Sequence, residues 1–254
     1  MRGKVYLVGA GPGAPDLLTL RAARVIAAAD ILFHDALVHP QVIALATRAE
    51  VIAVGKRCGR HSTAQRFINK RLVDAAARHA TVVRLKGGDP MLFGRAQEEI
   101  QALEHAGLAY EIVPGVTAAL AASASLGTSL TQRGTIRSIV FVTPRVGEGA
   151  HPGEWLAPLM AADAAAIYMG VGQAAAIAAA LIAAGKPAAT PVAIVENASL
   201  PESHHVHTTL AGLPAMVATQ FTGPAIILLG AQFTARGHAQ DEDTVESAKR
   251  EASA

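Results

Sequence analysis

An α/β protein of two domains is predicted, with a mostly parallel sheet in the N-terminal domain, a mixed sheet in the C-terminal one and the active site in the cleft between them. Three observations carry the α/β assignment. Short β-rich runs alternate with alanine-rich helical stretches almost from end to end. Pro114 and Gly115 break that rhythm near the middle, which divides the chain into 1–114 and 115–233. The last three strand candidates are separated by less helix than the earlier ones, as a mixed sheet requires.

The first strands are Val5–Val8, Asp30–Phe33, Val51–Val54, Thr81–Leu85 and Tyr110–Val113, with helices over Asp16–Ala29, Thr63–His79 and Arg95–Ala106 between them. The second set comprises Ser138–Val142, Ala164–Met169, Pro191–Val195, His205–Leu210 and Pro224–Leu229. Residues 234–254 are polar and acidic, with almost no large apolar side chain, and read as a frayed helix or a disordered tail. Hydrophobic residues make up 51% of the chain but aromatics only 4%, which favours helices packed closely on sheets over an all-β fold.

A net charge of +2 argues against an extended nucleic-acid surface while allowing a local basic pocket. Cys58 is the only cysteine, so neither an intramolecular disulfide nor a cysteine-based metal cage can form, and a cytoplasmic setting is expected. The longest apolar block, Ala174–Gly185, is shorter than the ~18 residues of a membrane span, and the glycines after Val8 cut short any signal-like run. His204, His205 and His207 sit close in sequence. On a strand, however, only His205 and His207 share a face, and no third ligand is nearby, so no metal is expected.

Two loops hold the chemistry. The stretch VGAGPGAP satisfies G-x-G-x-x-[GA] through Gly9, Gly11 and Ala14, and an NAD-dependent oxidoreductase is therefore one alternative. Pro12 removes a donor from the loop, Pro15 delays the helix, and Asp16 would repel a phosphate there. A loop that lets backbone approach some other ligand fits better. The second loop, RLKGGDPMLFGRAQEE, follows a strand with Gly87, Gly88 and Asp89, at the strand end where open α/β sheets place ligands.

These loops also carry a resemblance. GAGPGAPDLLTLRA, HDALV, VGKR, RLKGGDPMLFGRAQEE, PGVTAA, YMGVGQ, VENAS and GPAIILLG occur in order, and together they resemble the tetrapyrrole methylases over roughly residues 4–231. The likeness is greatest to members acting on uroporphyrinogen III, and the length is that of a stand-alone methyltransferase. It implies S-adenosylmethionine as methyl donor and S-adenosylhomocysteine as product. By the same resemblance the donor site comprises Pro12, Gly87, Gly88, Asp89, Leu92, Thr117, Ala118, Met169, Ala198 and Ala225. Alone, Met169 would read as a core methionine.

The implied reaction is C-methylation of uroporphyrinogen III at ring carbons two and seven, giving precorrin-2 for sirohaem, cobalamin or haem d1. A homodimer, with neither nucleic acid nor membrane as partner, is also implied. The polycarboxylate macrocycle calls for cations, and Lys56, Arg57, Arg60, His61, Arg95, Arg133 and Arg137 lie in or near the motifs. The resemblance makes Asp35 a proton acceptor and Lys56 a proton donor; an ion pair fixing two loops is the alternative for both. Arg95, with Glu98 one helical turn on, suits a carboxylate anchor better than a base, because arginine stays protonated.

Ala96 and Gln97 stand where the family commonly has glycines, Gln132 where it has histidine, and Pro144 with Arg145 where it has Gly-His. These departures leave open a methyltransferase acting on a later precorrin, or a binding protein without turnover.

Overall fold

Five parallel strands form the first sheet: β1 (Lys4–Gly9), β2 (Ile31–His34), β3 (Glu50–Ala53), β4 (Thr81–Lys86) and β5 (Tyr110–Val113), in the order β3-β2-β4-β1-β5. The computed structural model describes residues 2–54, 65–145 and 153–235. Strands buried on both faces read as continuous apolar runs rather than alternating ones, which is why KVYLVG and TVVRLK signal themselves in sequence. One face of the sheet, with Val5, Leu7, Ile31, Phe33 and Val82, packs on α3 (Gln65–Ala76) and α4 (Ala96–His105). The other, with Val8, Leu32, Val83 and Leu85, packs on α1 (Leu20–Ala27) and α2 (Pro40–Ile43). Each large aliphatic side chain buried this way contributes about 2 kcal/mol.

The helix predicted over Asp16–Ala29 is in fact two pieces. Pro15–Leu17 forms a single 3-10 turn, the chain extends again at Leu18, and α1 begins only at Leu20. Thr19 is the cause: its hydroxyl accepts the Ala22 N–H at 3.1 Å and satisfies a donor that the helix start would otherwise leave unpaired.

The second sheet contains β6 (Ile139–Val142), β7 (Ala164–Ile167), β8 (Pro191–Glu196), β9 (His204–Thr209) and β10 (Ala225–Leu229), in the order β6-β7-β10-β8-β9. It is mixed, as expected: β6 and β7 are parallel, whereas β7 and β10 are antiparallel. Around it lie α6 (Leu156–Ala161), α7 (Ala174–Ala183) and α8 (Leu213–Gln220). Helix α7 buries Ala174, Ile177, Ala178 and Leu181, a stripe at the 3.6-residue period. Among the described residues no helix is long and apolar enough to cross a membrane.

By contact, one unit takes in the described residues up to Leu130 together with Val195–His204 and Thr222–Ile226, and the other takes in the described remainder. The first unit thus extends beyond the expected division at 114, through α5 (Ala118–Ser125), and recruits two later segments.

Candidate active site

In a parallel sheet all strand carboxyl ends lie along one edge, so the loops after β1, β4 and β5 are brought side by side by the strand order alone. Their backbones interlock. Gly11 N–H donates to Gly88 O at 3.2 Å, Gly88 N–H returns a bond to Gly11 O at 2.7 Å, and Ala10 N–H donates to Lys86 O at 2.7 Å. Gly11 and Gly88 have φ of 72° and 66°, the left-handed region that glycine occupies without strain. A side chain at Gly9 would meet Gly115 Cα at 2.6 Å, so the first and third loops touch only because both residues lack one.

Asp89 stitches the second loop to the third. Its Oδ2 accepts the Gly115 N–H at 2.9 Å and its Oδ1 accepts the Met91 N–H at 2.7 Å. Thr117 Cα lies 3.8 Å from where a Gly88 side chain would start, and Gly87 lies against Leu37. The ENAS segment joins the same neighbourhood. Ser199 Oγ accepts the Ala14 N–H at 3.1 Å, and the Leu200 side chain occupies the space beside Gly13. Glu196, buried, accepts N–H bonds from Thr222 and Gly223, and Asn197 N–H bonds Pro224 O at 3.0 Å. Ala198 and Ala225 are thereby tied to one strap.

Pro12, Gly88, Asp89, Leu92, Thr117 and Ala198, with Ala118 and Ala225 at the starts of α5 and β10, therefore sit in segments joined by direct contacts or hydrogen bonds, with Gly87 in the same turn. Met169 belongs to the other unit, half-exposed with φ of 54°. Lys56, with Arg57, Cys58, Arg60 and His61, lies outside the described residues.

Five non-glycine residues among those described have positive φ: Phe93, Arg95, Met169, Asn197 and Ser199. All fall in the motifs singled out from the sequence. Such conformations cost roughly 1–3 kcal/mol each and persist where surrounding structure enforces them, typically at functional sites. Of the five, only Asn197 is of a type enriched in this region. Arg95 occupies the N-cap of α4 and pairs with Glu98 through two bonds, Nε–Oε1 at 2.7 Å and Nη2–Oε2 at 2.8 Å. That hydrogen-bonded pairing raises the Arg95 pKa and lowers that of Glu98.

Beneath the second loop lies a buried charge network that the sequence reasoning missed. Arg84 and Lys86 alternate along β4 onto one face and are almost fully buried, and Glu99 on α4 is fully buried opposite them. Arg84 Nε donates to Glu99 Oε1 at 3.0 Å, and Lys86 Nζ donates to both Glu99 oxygens at 3.1 Å. Gln65 Nε2 adds a bond to Oε1 at 3.0 Å. Arg84 Nη2 reaches Asp35 Oδ1 at 2.5 Å, just beyond the end of β2. Burial, reinforced by the Arg84 charge, pushes the Lys86 pKa below its ordinary value despite Glu99. For Arg84 burial acts the same way, but pairing with Asp35 and Glu99 outweighs it and raises the pKa. Two signals were present: cations at alternate positions of a central strand, and a carboxylate in the buried stripe Ala96, Glu99, Ile100, Leu103 of α4.

The dinucleotide geometry does not form. After the first glycine loop come the 3-10 turn and the extended Thr19, so α1 does not begin inside that loop, and Asp35 is paired with Arg84. His205 and His207 meet edge to face with ring centres 6.0 Å apart, and His207 Nδ1 lies 2.9 Å from Phe233 O. Among the described residues no three His, Cys, Asp or Glu side chains are placed to hold a metal.

The fold is similar to those of known proteins. Residues 4–214 match the family model of the tetrapyrrole (corrin/porphyrin) methylases, and the chain belongs to that family. It is similar to the crystal structure of a uroporphyrin-III C-methyltransferase from Thermus thermophilus complexed with S-adenosylhomocysteine, at 40% identity and a TM-score of 0.79, covering 90% of this chain and 98% of that one. A cobalt precorrin-4 methyltransferase gives a TM-score of 0.80 at 29% identity, covering 91% and 96%. A sirohaem synthase from Chromobacterium violaceum is 44% identical over 230 residues, 90% of this chain and 49% of that protein. A sirohaem synthase from Klebsiella pneumoniae is 45% identical over 229 residues, 90% of this chain and 48% of that protein. The chain thus spans about half the length of the curated relatives it matches.

Proposed function

We propose that this chain is a methyltransferase that uses S-adenosylmethionine to methylate uroporphyrinogen III at ring carbons two and seven, giving precorrin-2. The interlocked glycine loops after β1, β4 and β5 carry this reading, together with near-complete coverage of a relative crystallised with S-adenosylhomocysteine. The donor suits the residues present. Gly87 and Gly88 carry no side chain to bar close approach, while Leu37, Met91 and Phe93 offer exposed apolar surface for the adenine and methionyl parts. Pro12, Asp89, Leu92, Thr117, Ala118, Met169, Ala198 and Ala225 are assigned to the same donor site. Asp89 would act there by holding two loops in register, since both its oxygens already accept backbone N–H groups.

When bound, S-adenosylmethionine supplies an electrophilic methyl on sulfur. A pyrrole carbon forms the new C–C bond in line as the C–S bond breaks, and S-adenosylhomocysteine departs. The proton then lost from the macrocycle passes to the Asp35 carboxylate. Lys56 is assigned to the same step as a cation that stabilises the substrate. Arg95, oriented by Glu98, anchors a substrate carboxylate. A homodimer in the cytoplasm completes the proposal, the dimer being supported by exposed apolar side chains such as Leu20 and Leu120 and checked by sedimentation.

Labelled S-adenosylmethionine with uroporphyrinogen III, followed by product mass, tests the reading. Two methyl groups per macrocycle are expected. Turnover only of a later precorrin would favour the reading that the cobalt precorrin-4 enzyme suggests. Asp35→Asn and Arg95→Ala should bind S-adenosylhomocysteine normally yet slow methyl transfer, by about 10²-fold or more for Asp35→Asn. Wild-type rates would remove them from the working residues.

A further inference from the structure

We propose that Glu99 is a positioning residue that acts through Arg84 to hold the Asp35 carboxylate in place. The inference rests on the assignment of Asp35 as proton acceptor. The Arg84 guanidinium is committed on every nitrogen: Nε to Glu99, Nη1 to Leu85 O at 3.2 Å, and Nη2 to Asp35. A planar fork held at three points has no freedom to turn, so the place where it meets Asp35 is set from behind by Glu99. Glu99 is itself locked. Its Oε1 accepts from Gln65, Arg84 and Lys86, its Oε2 accepts from Lys86, and it is fully buried.

Exposure gives the network a direction. Arg84, Lys86 and Glu99 are sealed, whereas the Asp35 side chain is 32% exposed and forms the open end. The two cations and two carboxylates balance in charge. Removal of the Glu99 charge leaves Asp35 as the one carboxylate hydrogen-bonded to Arg84, and the fork then has nothing behind it. A purely structural filler would be better served by apolar groups of the same volume, since replacing a buried ion pair in that way is often neutral or stabilising. Three sealed charges leading to one half-open carboxylate are better explained by a task at that carboxylate.

Thermodynamic coupling separates this from a general packing role. Initial rates with S-adenosylmethionine and uroporphyrinogen III would be measured for wild type, Asp35→Asn, Glu99→Gln and the double variant. Glu99→Gln should lower kcat about 10–100-fold, as expected for a misplaced reacting group, while KM for S-adenosylmethionine and S-adenosylhomocysteine affinity stay within about twofold. In the Asp35→Asn background it should have no further effect, because its route to the chemistry is already cut. Multiplicative losses would overturn the inference while leaving the methyltransferase reading intact. A wild-type rate for Asp35→Asn would overturn the acceptor assignment and this inference together. Absence of methyl transfer by the wild-type protein would overturn the proposed function itself. If Glu99→Gln does not fold, Arg84→Lys enters the same cycle, since a single ammonium keeps the charge but cannot bridge two carboxylates, and the same non-additivity is expected.

Discussion

The two halves of the molecule solve the same packing problem with different materials. Gln65, Arg84, Lys86, Glu99, Thr128 and Glu196, the buried polar and charged residues described, all belong to the first unit. Among the described residues of the second unit no polar or charged residue is buried as a whole, and its interior strand β7 is AAAI, sealed at every position. Strain divides the same way, with Phe93, Arg95, Asn197 and Ser199 in the first unit and Met169 in the second. Buried charge and strained backbone both oppose folding unless a surrounding network offsets them. Their concentration around the interlocked glycine loops marks the first unit as the half where stability has been traded for a fixed arrangement of groups.

That contrast can be broken or sharpened by substitution. The largest effect is expected from Glu99→Leu, which strips two sealed cations of their shared partner and should cost about 3–5 kcal/mol by denaturant unfolding. A cost under about 1 kcal/mol would mean that the network is not truly sealed. Gly115→Ala comes next. Its new methyl group would meet backbone at Gly88 and at Gly9, which cannot rotate away, so about 3 kcal/mol and a fall in Tm of roughly 6–12 °C are expected. The matching change in the second unit is Gly170→Ala, whose methyl would meet side-chain atoms rather than backbone: Ile167 Cγ2 at 2.8 Å, Ile177 Cδ1 at 3.1 Å and Ile227 Cδ1 at 3.5 Å. About 1 kcal/mol is expected there. Equal costs for the two glycines would erase the distinction between a backbone-locked half and an adaptable one.

The smallest effect concerns pH. Asp163 of the second unit accepts from Ser138 Oγ at 2.8 Å, Arg137 N–H at 2.9 Å and Ser138 N–H at 2.8 Å, and these bonds hold its pKa below the ordinary 3.8. A carboxylate depressed on folding stabilises fully above its unfolded value and loses that contribution as pH falls through the folded one. The Tm difference between wild type and Asp163→Asn should therefore be level from about pH 6 down to about pH 4 and shrink below that. A constant difference down to about pH 2 would show that the carboxylate charge contributes nothing.

Sequence and structure agree where a single local cause decides the outcome. The β-branched runs predict strands whose ends shift by a residue or two, because burial on both faces leaves an uninterrupted apolar signal. Helices set by capping were less legible. The Thr19 cap moves α1 to Leu20, and the short α2 rests on Pro40 and a His39 cap that no periodicity announces. At the site, the glycine loops are plain in the sequence because close approach demands glycine. The link from Asp35 through Arg84 to Glu99 is not, since it joins three distant segments and depends on which charges the fold seals.

Because Val195–His204 and Thr222–Ile226 complete the first unit, its final assembly must wait on the far end of the chain. During synthesis β1 leaves the ribosome before β4 and β5, between which it lies, and it stays unpaired on both sides until those strands emerge. The Glu196 strap over Thr222 and Gly223 forms later still. The half that bears the strained loops is thus begun before the other yet stays incomplete until Ile226, and an interrupted chain would hold the glycine turns without the segment that closes on them.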